Sequence, residues 1–242
     1  MAKSLLNEDF KKKFNICTVA SDHKIQFLNF KKTKVDPIFD IVFLLVKPKV
    51  FYSEGSYFSK YIKKNTIILS CMAGVKIKTI NNKLNSEKII RIMPNVLSLF
   101  NQSHTCIFSH DQNLANWTIE NVTKLFGTSF IVKNQNDIHK ATALFGSGPA
   151  FIAKIISSYI RASKKINFNY PNNEEAILNL FKSVVDYSKK YGGLDNFINT
   201  ISSKKGTTQE GISYLKKSNL EKTIHTTIFR AYKRSKEISL EK

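Results

Sequence analysis

The sequence predicts an α/β domain with a parallel sheet, followed by an all-helical domain. Short runs rich in β-branched residues alternate with helix-like stretches from Asn15 to about Val132, which is typical of a parallel sheet. Those runs are NICTV, IVFLLV, TIILSC, KIIRIM, TCIFS and TSFIVK. From about Asn136 the runs stop and long helical stretches follow, beginning with residues 137–165. The predicted domains are therefore residues 1–134 and 135–242.

Apolar spacing supports two of the C-terminal helices. Residues 174–191 follow Pro171 and precede Gly192-Gly193, and their apolar side chains recur at helical spacing. Those side chains are Ile177, Leu180, Phe181, Val184 and Val185. In the last segment, Ser218 and Glu221 are spaced as a capping box before an apolar stripe that we expect to pack against a partner subunit. The stripe comprises Leu220, Ile224, Ile228, Ala231 and Ile238.

Composition indicates an ordinary globular protein of the cytoplasm. With 242 residues, of which 42% are apolar, the chain can bury a sizeable core. The longest apolar run, residues 41–46, is far shorter than the roughly 18 residues of a membrane span, and no signal peptide is visible, so we expect no membrane partner. Cys17, Cys71 and Cys106 lack metal-ligand spacing, so we expect packing roles, no disulfide framework and no metal site.

The net charge of +20 raises nucleic-acid binding as an alternative, because strongly basic domains often bind phosphate backbones. Four of the 38 basic residues are arginines, and the lysines are scattered through every segment without a stripe of stacking aromatics. We therefore expect no nucleic-acid partner. A salt-sensitive gel shift with DNA would contradict this expectation.

The N-terminal residues match a nucleotide-binding fold that starts at its first helix. Such Rossmann-like folds run from a strand through a glycine-rich turn to a helix and a second strand, with a ribose-contacting residue about 20 positions after the glycines. Here residues 1–10 carry one apolar helical face, NICTV follows as the second strand, and Ser21 and Asp22 fall at the ribose position. We therefore expect the first strand and its phosphate-holding glycine turn to be absent from this chain.

Four ordered motifs carry a family resemblance. They are DIVFLLVKPK (residues 40–49), LSCMAGV (69–75), RIMPN (91–95) and ATALFGSGPAF (141–151), and SSKKGTTQEGI (202–212) follows with two substitutions. By these motifs the chain resembles the pyrroline-5-carboxylate reductase family from its first helix to its C-terminus. The glycine fingerprint of that family commonly reads G-x-G-N-M, and Met1 resembles the methionine of that fingerprint.

The resemblance implies an enzyme that uses NADP or NAD to reduce 1-pyrroline-5-carboxylate to proline. It also implies a homodimer or higher homo-oligomer whose active site lies between the sheet domain and an all-helical dimerisation domain. The implied cofactor-binding residues are Ser21, Asp22, Val46, Lys47, Pro48, Ala73, Gly74 and Asn95. NADPH and NADH both remain open, because an acid such as Asp22 favours a ribose hydroxyl whereas Lys24 favours a phosphate.

By the same resemblance, Thr208 is the candidate catalytic residue, because the family places this threonine hydroxyl at the ring nitrogen of the substrate. The implied substrate-binding residues are Gly206, Thr207, Ser147 and Gly148. Thr207 and Glu210 are also spaced as a capping box, and the N–H groups of such a helix start suit a carboxylate. Without the resemblance, the same pattern would indicate a plain helix cap.

The GSGPA segment falls within the predicted helical stretch over residues 137–165. Pro149 lacks an N–H group and would cost an interior hydrogen bond unless it lies in the first turn. Gly146, Gly148 and Ala150 would let a ligand or a neighbouring backbone approach closely, and close helix packing is the alternative to ligand contact.

Three departures from the family pattern fall at the implied site. Lys204-Lys205 replace a Pro-Gly pair, so a position that needs φ > 0 would cost roughly 1–2 kcal/mol with lysine. Phe145 replaces a serine near the expected nicotinamide, and His139 replaces a commonly acidic residue. With the expected absence of the glycine turn, two alternatives remain: an active reductase with an upstream start, or an inactive remnant whose cofactor binding is weak or lost.

Overall fold

The structure, a computed structural model, describes residues 7–19, 25–27, 38–166, 168 and 171–240, with the backbone alone for 17–19 and 25–27. The chain divides into two compact units. Unit 1 comprises Met1–Ser147 and Phe229–Lys242, and unit 2 comprises Gly148–Ile228. The last residues of the chain therefore belong by contacts to unit 1, which the sequence pattern does not predict.

Unit 1 combines a sheet with short helices. Its strands are β1 (Cys17–Val19), β2 (Ile25–Phe27), β3 (Phe39–Leu44), β4 (Ile62–Ser70), β5 (Ile89–Met93), β6 (Ser103–Phe108) and β7 (Gly127–Ile131). Its helices are α1 (Glu8–Lys13), α2 (Pro48–Glu54), α3 (Ile77–Leu84), α4 (Gln112–Asn121) and α5 (Asp137–Ala141), with 3₁₀ segments at Gly55–Tyr61, Val96–Phe100 and Thr123–Phe126. Each of the predicted β-rich runs contains a strand, and the α/β class is confirmed.

The five strands β3 to β7 form one sheet in chain order, and β1 and β2 form a separate antiparallel pair. Strands β3, β4 and β5 are parallel, and so are β6 and β7, but β5 and β6 are antiparallel. The sheet is therefore mixed, where the sequence pattern predicts a parallel one. The cause is the connection between β5 and β6, residues 94–102, which is shorter than the dozen or so residues that a parallel crossover needs.

Apolar side chains cover both faces of the five-stranded sheet. Strand β5 is buried at every position, and its successive residues alternate between the two faces. One buried cluster includes Ile68 and Ile89, and the other includes Leu69 and Ile90. Cys71 and Cys106 are buried free thiols in these clusters, and burial raises the pKa of each to about 12, which confirms their packing role. The predicted packing role of Cys17 falls on a residue whose side chain is outside the described part.

Unit 2 consists of helices. They are α6 (Gly148–Lys165), α7 (Asn173–Ser188), α8 (Leu194–Ile201), α9 (Thr207–Lys217) and the first part of α10 (Leu220–Ile238), with a 3₁₀ segment at Lys189–Tyr191. The predicted helix over residues 174–191 is confirmed as α7 and the 3₁₀ segment that follows it. The predicted capping role of Ser218 is wrong, because its hydroxyl donates to the Leu215 carbonyl and α10 begins only at Leu220. Asn219, at φ +55°, turns the chain between them.

Residues 137–165 form one long helical stretch made of α5, a π turn at Thr142–Gly146 and α6. By length and composition alone it could cross a membrane, and it is the one such helix in the described part of the chain. A single helix of this kind is weak evidence, because helices of soluble proteins pass the same test.

Candidate active site

The carboxyl ends of the parallel strands β3, β4 and β5 lie at one edge of the sheet. Their registers place Leu44 beside Ser70 and Ser70 beside Arg91. The segments that follow these strands therefore start side by side, at the edge where open α/β sheets bind ligands. This edge brings together the predicted residues Val46, Lys47, Pro48, Ala73, Gly74 and Asn95. Ser21 and Asp22, predicted to contact the ribose, lie outside the described residues.

The first of these segments leads into helix α2. Val46 is half-buried against the sheet core, and Lys47 is the exposed N-cap residue. Pro48 occupies the first helical position, where its missing N–H costs no intrahelical hydrogen bond. The side chain that this segment offers to a ligand is therefore the ammonium group of Lys47.

The second segment contains a tight turn at Gly74. Its φ of +78° is a left-handed conformation that favours glycine, and a Cβ atom there would lie 2.5 Å from Cα of Ser239. Ala73 beside it is half-buried, whereas Gly74 itself is buried. The close approach that requires glycine is made by the C-terminal residues of the chain, which sequence reasoning did not predict.

Arg91, on β5, contacts the residue two positions before Gly74 and is 1% exposed. Its Nη2 donates to the Met72 carbonyl at 3.2 Å, and its Nε has no partner among the described residues. Burial lowers the pKa of Arg91 to about 10, so the guanidinium keeps its charge at neutral pH. Arg91 therefore fixes the carbonyl that precedes Ala73 and Gly74. The sequence signal for this role is a lone arginine within an otherwise apolar strand.

His139 packs against the C-terminal helix and does not reach solvent. It is 5% exposed, and its Nδ1 lies 2.9 Å from the Ser235 hydroxyl. Burial lowers the pKa of His139, and the cations of Arg91, Lys236 and Lys76 lower it further. This histidine is therefore neutral at physiological pH and joins α5 to α10 within unit 1.

Asn95 follows β5 and is 5% exposed, and its side chain and N–H group make three of its hydrogen bonds with the chain. Its Nδ2 donates to the Phe145 carbonyl at 3.0 Å, and its Oδ1 accepts from the Leu97 N–H at 2.9 Å. Its own N–H donates to the Ser103 hydroxyl at 3.0 Å. The side chain thus links the sheet edge to the π turn at Thr142–Gly146, and π turns are frequent at functional sites.

The GSGP segment leaves open space beside its glycines. A Cβ atom on Gly148 would meet nothing within 4 Å among the described residues, and one on Gly146 would come no closer than 3.8 Å to Thr142. Packing inside the chain therefore does not require these glycines, and there is room beside them for a ligand or a second subunit. Pro149 lies in the first turn of α6, a position where a helix tolerates proline.

The remaining predicted residues, Gly206, Thr207 and Thr208, lie at the start of α9 in unit 2. Gly206 is the N-cap residue, so the predicted capping box of Thr207 and Glu210 is wrong. Instead, the Gln209 side chain accepts from the Lys205 N–H at 2.6 Å. Among the described residues, the N–H groups of Thr207 and Thr208 have no acceptor and the half-buried Thr208 hydroxyl has no partner. The helix start therefore presents donors to a ligand.

The two residues immediately before this helix, Lys205 and Gly206, differ in conformation. Gly206 has an ordinary φ of −82°, and a Cβ atom there would meet the hydroxyl oxygen of the exposed Ser203, which would have to rotate away. Lys205 has φ +58°, which confirms that lysine stands where a left-handed conformation is needed. The structure thus describes two parts of the predicted site, one at the sheet edge of unit 1 and one at a helix start of unit 2.

Comparisons with known proteins agree with these motifs. Residues 135–238 match the family model described as pyrroline-5-carboxylate reductase dimerisation. A pyrroline-5-carboxylate reductase of Staphylococcus saprophyticus is 32% identical over 207 residues, which are 83% of this chain and 75% of that protein.

Two solved structures share the fold. The pyrroline carboxylate reductase of Plasmodium falciparum with NADP bound has a TM-score of 0.73 at 23% identity, over 83% of this chain and 77% of that one. The 1-pyrroline-5-carboxylate reductase of Streptococcus pyogenes has a TM-score of 0.67 at 25% identity, over 82% and 76%.

Proposed function

This chain belongs to the pyrroline-5-carboxylate reductase family, and from that premise we propose that it reduces 1-pyrroline-5-carboxylate to proline with NADPH or NADH. The observation that carries the proposal is the 32% identity over 207 residues to a reductase of that name. The alignment of the motif residues Val46 to Pro48, Ala73 and Gly74 along one sheet edge supports it. No observation on the described residues, and none of the comparisons, favours the inactive alternative.

The sheet edge fits part of a nicotinamide dinucleotide. It offers an exposed cation at Lys47 and a small half-buried side chain at Ala73, in segments that start side by side. Val46, Lys47, Pro48, Ala73 and Gly74 would hold the cofactor there, with Ser21 and Asp22 at its ribose. When bound, the cofactor supplies the hydride for the C=N carbon of the substrate. Arg91 contributes by keeping the Met72–Gly74 turn in place through the Met72 carbonyl.

The start of α9 suits the substrate. The N–H groups of Thr207 and Thr208 have no acceptor among the described residues, so they can donate to a carboxylate. The positive end of the eleven-residue helix attracts the same negative charge. The Thr208 hydroxyl is half-buried and can donate a hydrogen bond at the ring nitrogen, where the product gains its proton. Gly206 gives the carboxylate close access, and Ser147 and Gly148 complete the substrate contacts by resemblance to the family.

We further propose that the protein is a cytoplasmic homodimer that binds neither membrane nor nucleic acid. Helices α6 and α7 expose large apolar side chains, including Ile155 (45%), Tyr159 (51%) and Leu180 (47%). A partner subunit would cover them, as the dimerisation match over residues 135–238 suggests. A bilayer would instead surround Lys154 and Arg161 of α6, at a cost of roughly 2.5–3.5 kcal/mol each near its centre.

The test is the oxidation of NADPH and of NADH by the purified protein with 1-pyrroline-5-carboxylate. We expect turnover with at least one cofactor, and Thr208→Val should lower kcat by roughly 10²–10⁴-fold because a positioned proton donor is lost. Thr200→Val on α8, whose hydroxyl donates to the Asn196 carbonyl, is the matched control and should leave kcat unchanged. Absence of turnover by the parent chain would support the inactive alternative. An unchanged kcat in Thr208→Val would show that the Thr208 hydroxyl is not the proton donor.

A further inference from the structure

The Phe145 carbonyl lies in the π turn that precedes α6, outside the regular α-helical ladder of hydrogen bonds. In an α-helix each carbonyl accepts from the N–H four residues later, and for Phe145 that residue is Pro149, which has no N–H. The chain widens into a π turn at this point, with the Ser147 N–H donating to the Thr142 carbonyl at 2.9 Å. The donor that the structure shows for the Phe145 carbonyl comes from elsewhere in the fold, at 3.0 Å.

Asn95 supplies that donor, and its amide can face in one direction only. Its Oδ1 accepts from the Leu97 N–H, which forces the NH₂ group to point at the Phe145 carbonyl. The backbone of Asn95 is fixed as well, because its N–H donates to Ser103 and the Ser103 hydroxyl bonds Thr105 at 3.1 Å. The carbonyl of Phe145 is thus held by a buried, rigid donor at the end of β5.

We propose that Asn95 is a positioning residue that acts through the Phe145 carbonyl and does not use its side chain to bind the cofactor. It fixes the π turn, and with it Ser147 and Gly148, which stand at the substrate in the proposed function on which this inference rests. Phe145 itself is anchored by its ring, which packs against His104 and Phe130 with ring centroids 5.0 and 5.6 Å away. Asn95 therefore controls the orientation of the carbonyl and of the residues that follow it.

The first test separates positioning from cofactor contact. Asn95→Asp keeps the size of the side chain but replaces the donor with a carboxylate oxygen that repels the Phe145 carbonyl. We expect kcat to fall about 10–100-fold, because displacements near 1 Å cost rates of that order, while KM for NADPH changes less than about two-fold. A KM for NADPH that rises ten-fold or more (roughly 1.4 kcal/mol) with kcat retained would show direct cofactor binding and would overturn the proposal.

The second test restores the missing donor. Pro149→Ala gives residue 149 an N–H that can bond the Phe145 carbonyl, so Asn95→Ala and Asn95→Asp should cost less in that background. We expect the fall in kcat caused by either substitution to shrink to less than about three-fold. Pro171→Ala, which lies just ahead of α7, is the control and should rescue nothing. Equal losses in all three backgrounds would contradict the proposal.

The same coupling is measurable without catalysis, which separates this inference from the proposed function. In chemical denaturation, Asn95→Ala should lower the unfolding midpoint, and Pro149→Ala should at least halve that loss. If the parent chain shows no reductase activity but the two substitutions couple, the proposed function fails and the hydrogen-bond role of Asn95 stands. If activity is present and the effects on the midpoint are additive, the positioning role is wrong.

Discussion

Unit 1 and unit 2 differ in how many of their apolar side chains they bury, although unit 1 also exposes some, such as Phe100. In unit 1, strand β5 is buried at all positions, and the buried apolar residues of the described chain lie in unit 1 except for Ile177. In unit 2, large apolar side chains are exposed on its helices, such as Ile155 on α6, Leu180 on α7 and Tyr214 on α9. Unit 1 thus completes a core from its own residues, whereas unit 2 needs another surface to complete one.

This difference is the physical reason to regard the chain as one half of an assembly. A monomer rarely leaves so many large apolar residues in water, because each side chain gains roughly 1.5–3 kcal/mol when it is fully buried. The proposed dimer would bury them, and the stability of unit 2 would then depend on protein concentration. The stability of unit 1 would not.

The largest effect is expected from Ile155→Asp, which places a carboxylate on the exposed apolar side of α6. An unpaired charge buried at an interface costs roughly 3–5 kcal/mol, and in a symmetric dimer it occurs twice. We expect dissociation at micromolar concentration, measured by sedimentation. Ser157→Asp, on the far side of the helix beside Arg161, is the matched control and should leave the dimer intact. If both variants sediment alike, the exposed side of α6 is not the interface.

The second largest effect is expected in the core of unit 1, which we propose to be independent of the dimer. Ile90 is fully buried within β5, and Ile90→Ala should destabilise the protein by roughly 2–5 kcal/mol by leaving a cavity. The loss should appear in denaturant unfolding and should not change with protein concentration, with the dimer intact. Ile90→Val, which removes one methylene, should cost roughly 0.5–1.5 kcal/mol. A loss that vanishes on concentrating the sample would mean that the core of unit 1 is also completed by a partner.

A smaller effect is expected from pH at the contact between α5 and α10. The folded pKa of His139 is lowered, chiefly by burial, so the unfolded chain takes up the proton first as pH falls. The contribution of His139 to the free energy of unfolding is therefore fully present above the unfolded pKa of about 6.5. It is lost as pH falls from there to the folded pKa, by at most about 1.4 kcal/mol per pH unit. His139→Gln should flatten that part of the stability curve. An identical slope in both proteins would exclude this histidine as its source.

The smallest effect is expected at the turn before α9. Lys205 has φ +58°, and Lys205→Gly should stabilise the protein by about 1 kcal/mol because glycine adopts this conformation without strain. The KM for 1-pyrroline-5-carboxylate reports at the same time whether the charge of Lys205 assists the carboxylate. Lys204→Gly, at a position whose φ is not positive, should destabilise slightly. Equal effects of the two substitutions would contradict the strain at Lys205.

Local patterns predicted the elements well and their ends less well. The β-rich runs became strands, and the apolar spacing of residues 174–191 became α7, because side-chain periodicity follows directly from backbone geometry. The capping boxes of Thr207 and Ser218 were wrong, since the chain turns at Lys205 and Asn219 with positive φ, which spacing alone does not reveal. Six of the predicted cofactor residues lie at one edge of the sheet, because parallel strands end on the same side. They are Val46, Lys47, Pro48, Ala73, Gly74 and Asn95.

By itself, the sequence determined the α/β class, the order of the strands along the chain, the helical C-terminal part and the family, because these depend on periodicity and on motif letters. The tertiary structure alone decided which groups meet across the chain: Arg91 with the Met72 carbonyl, Asn95 with Phe145, and Gly74 with Ser239. These pairs join residues far apart in sequence. No local pattern encodes them, because each depends on how the sheet edge brings separate turns together.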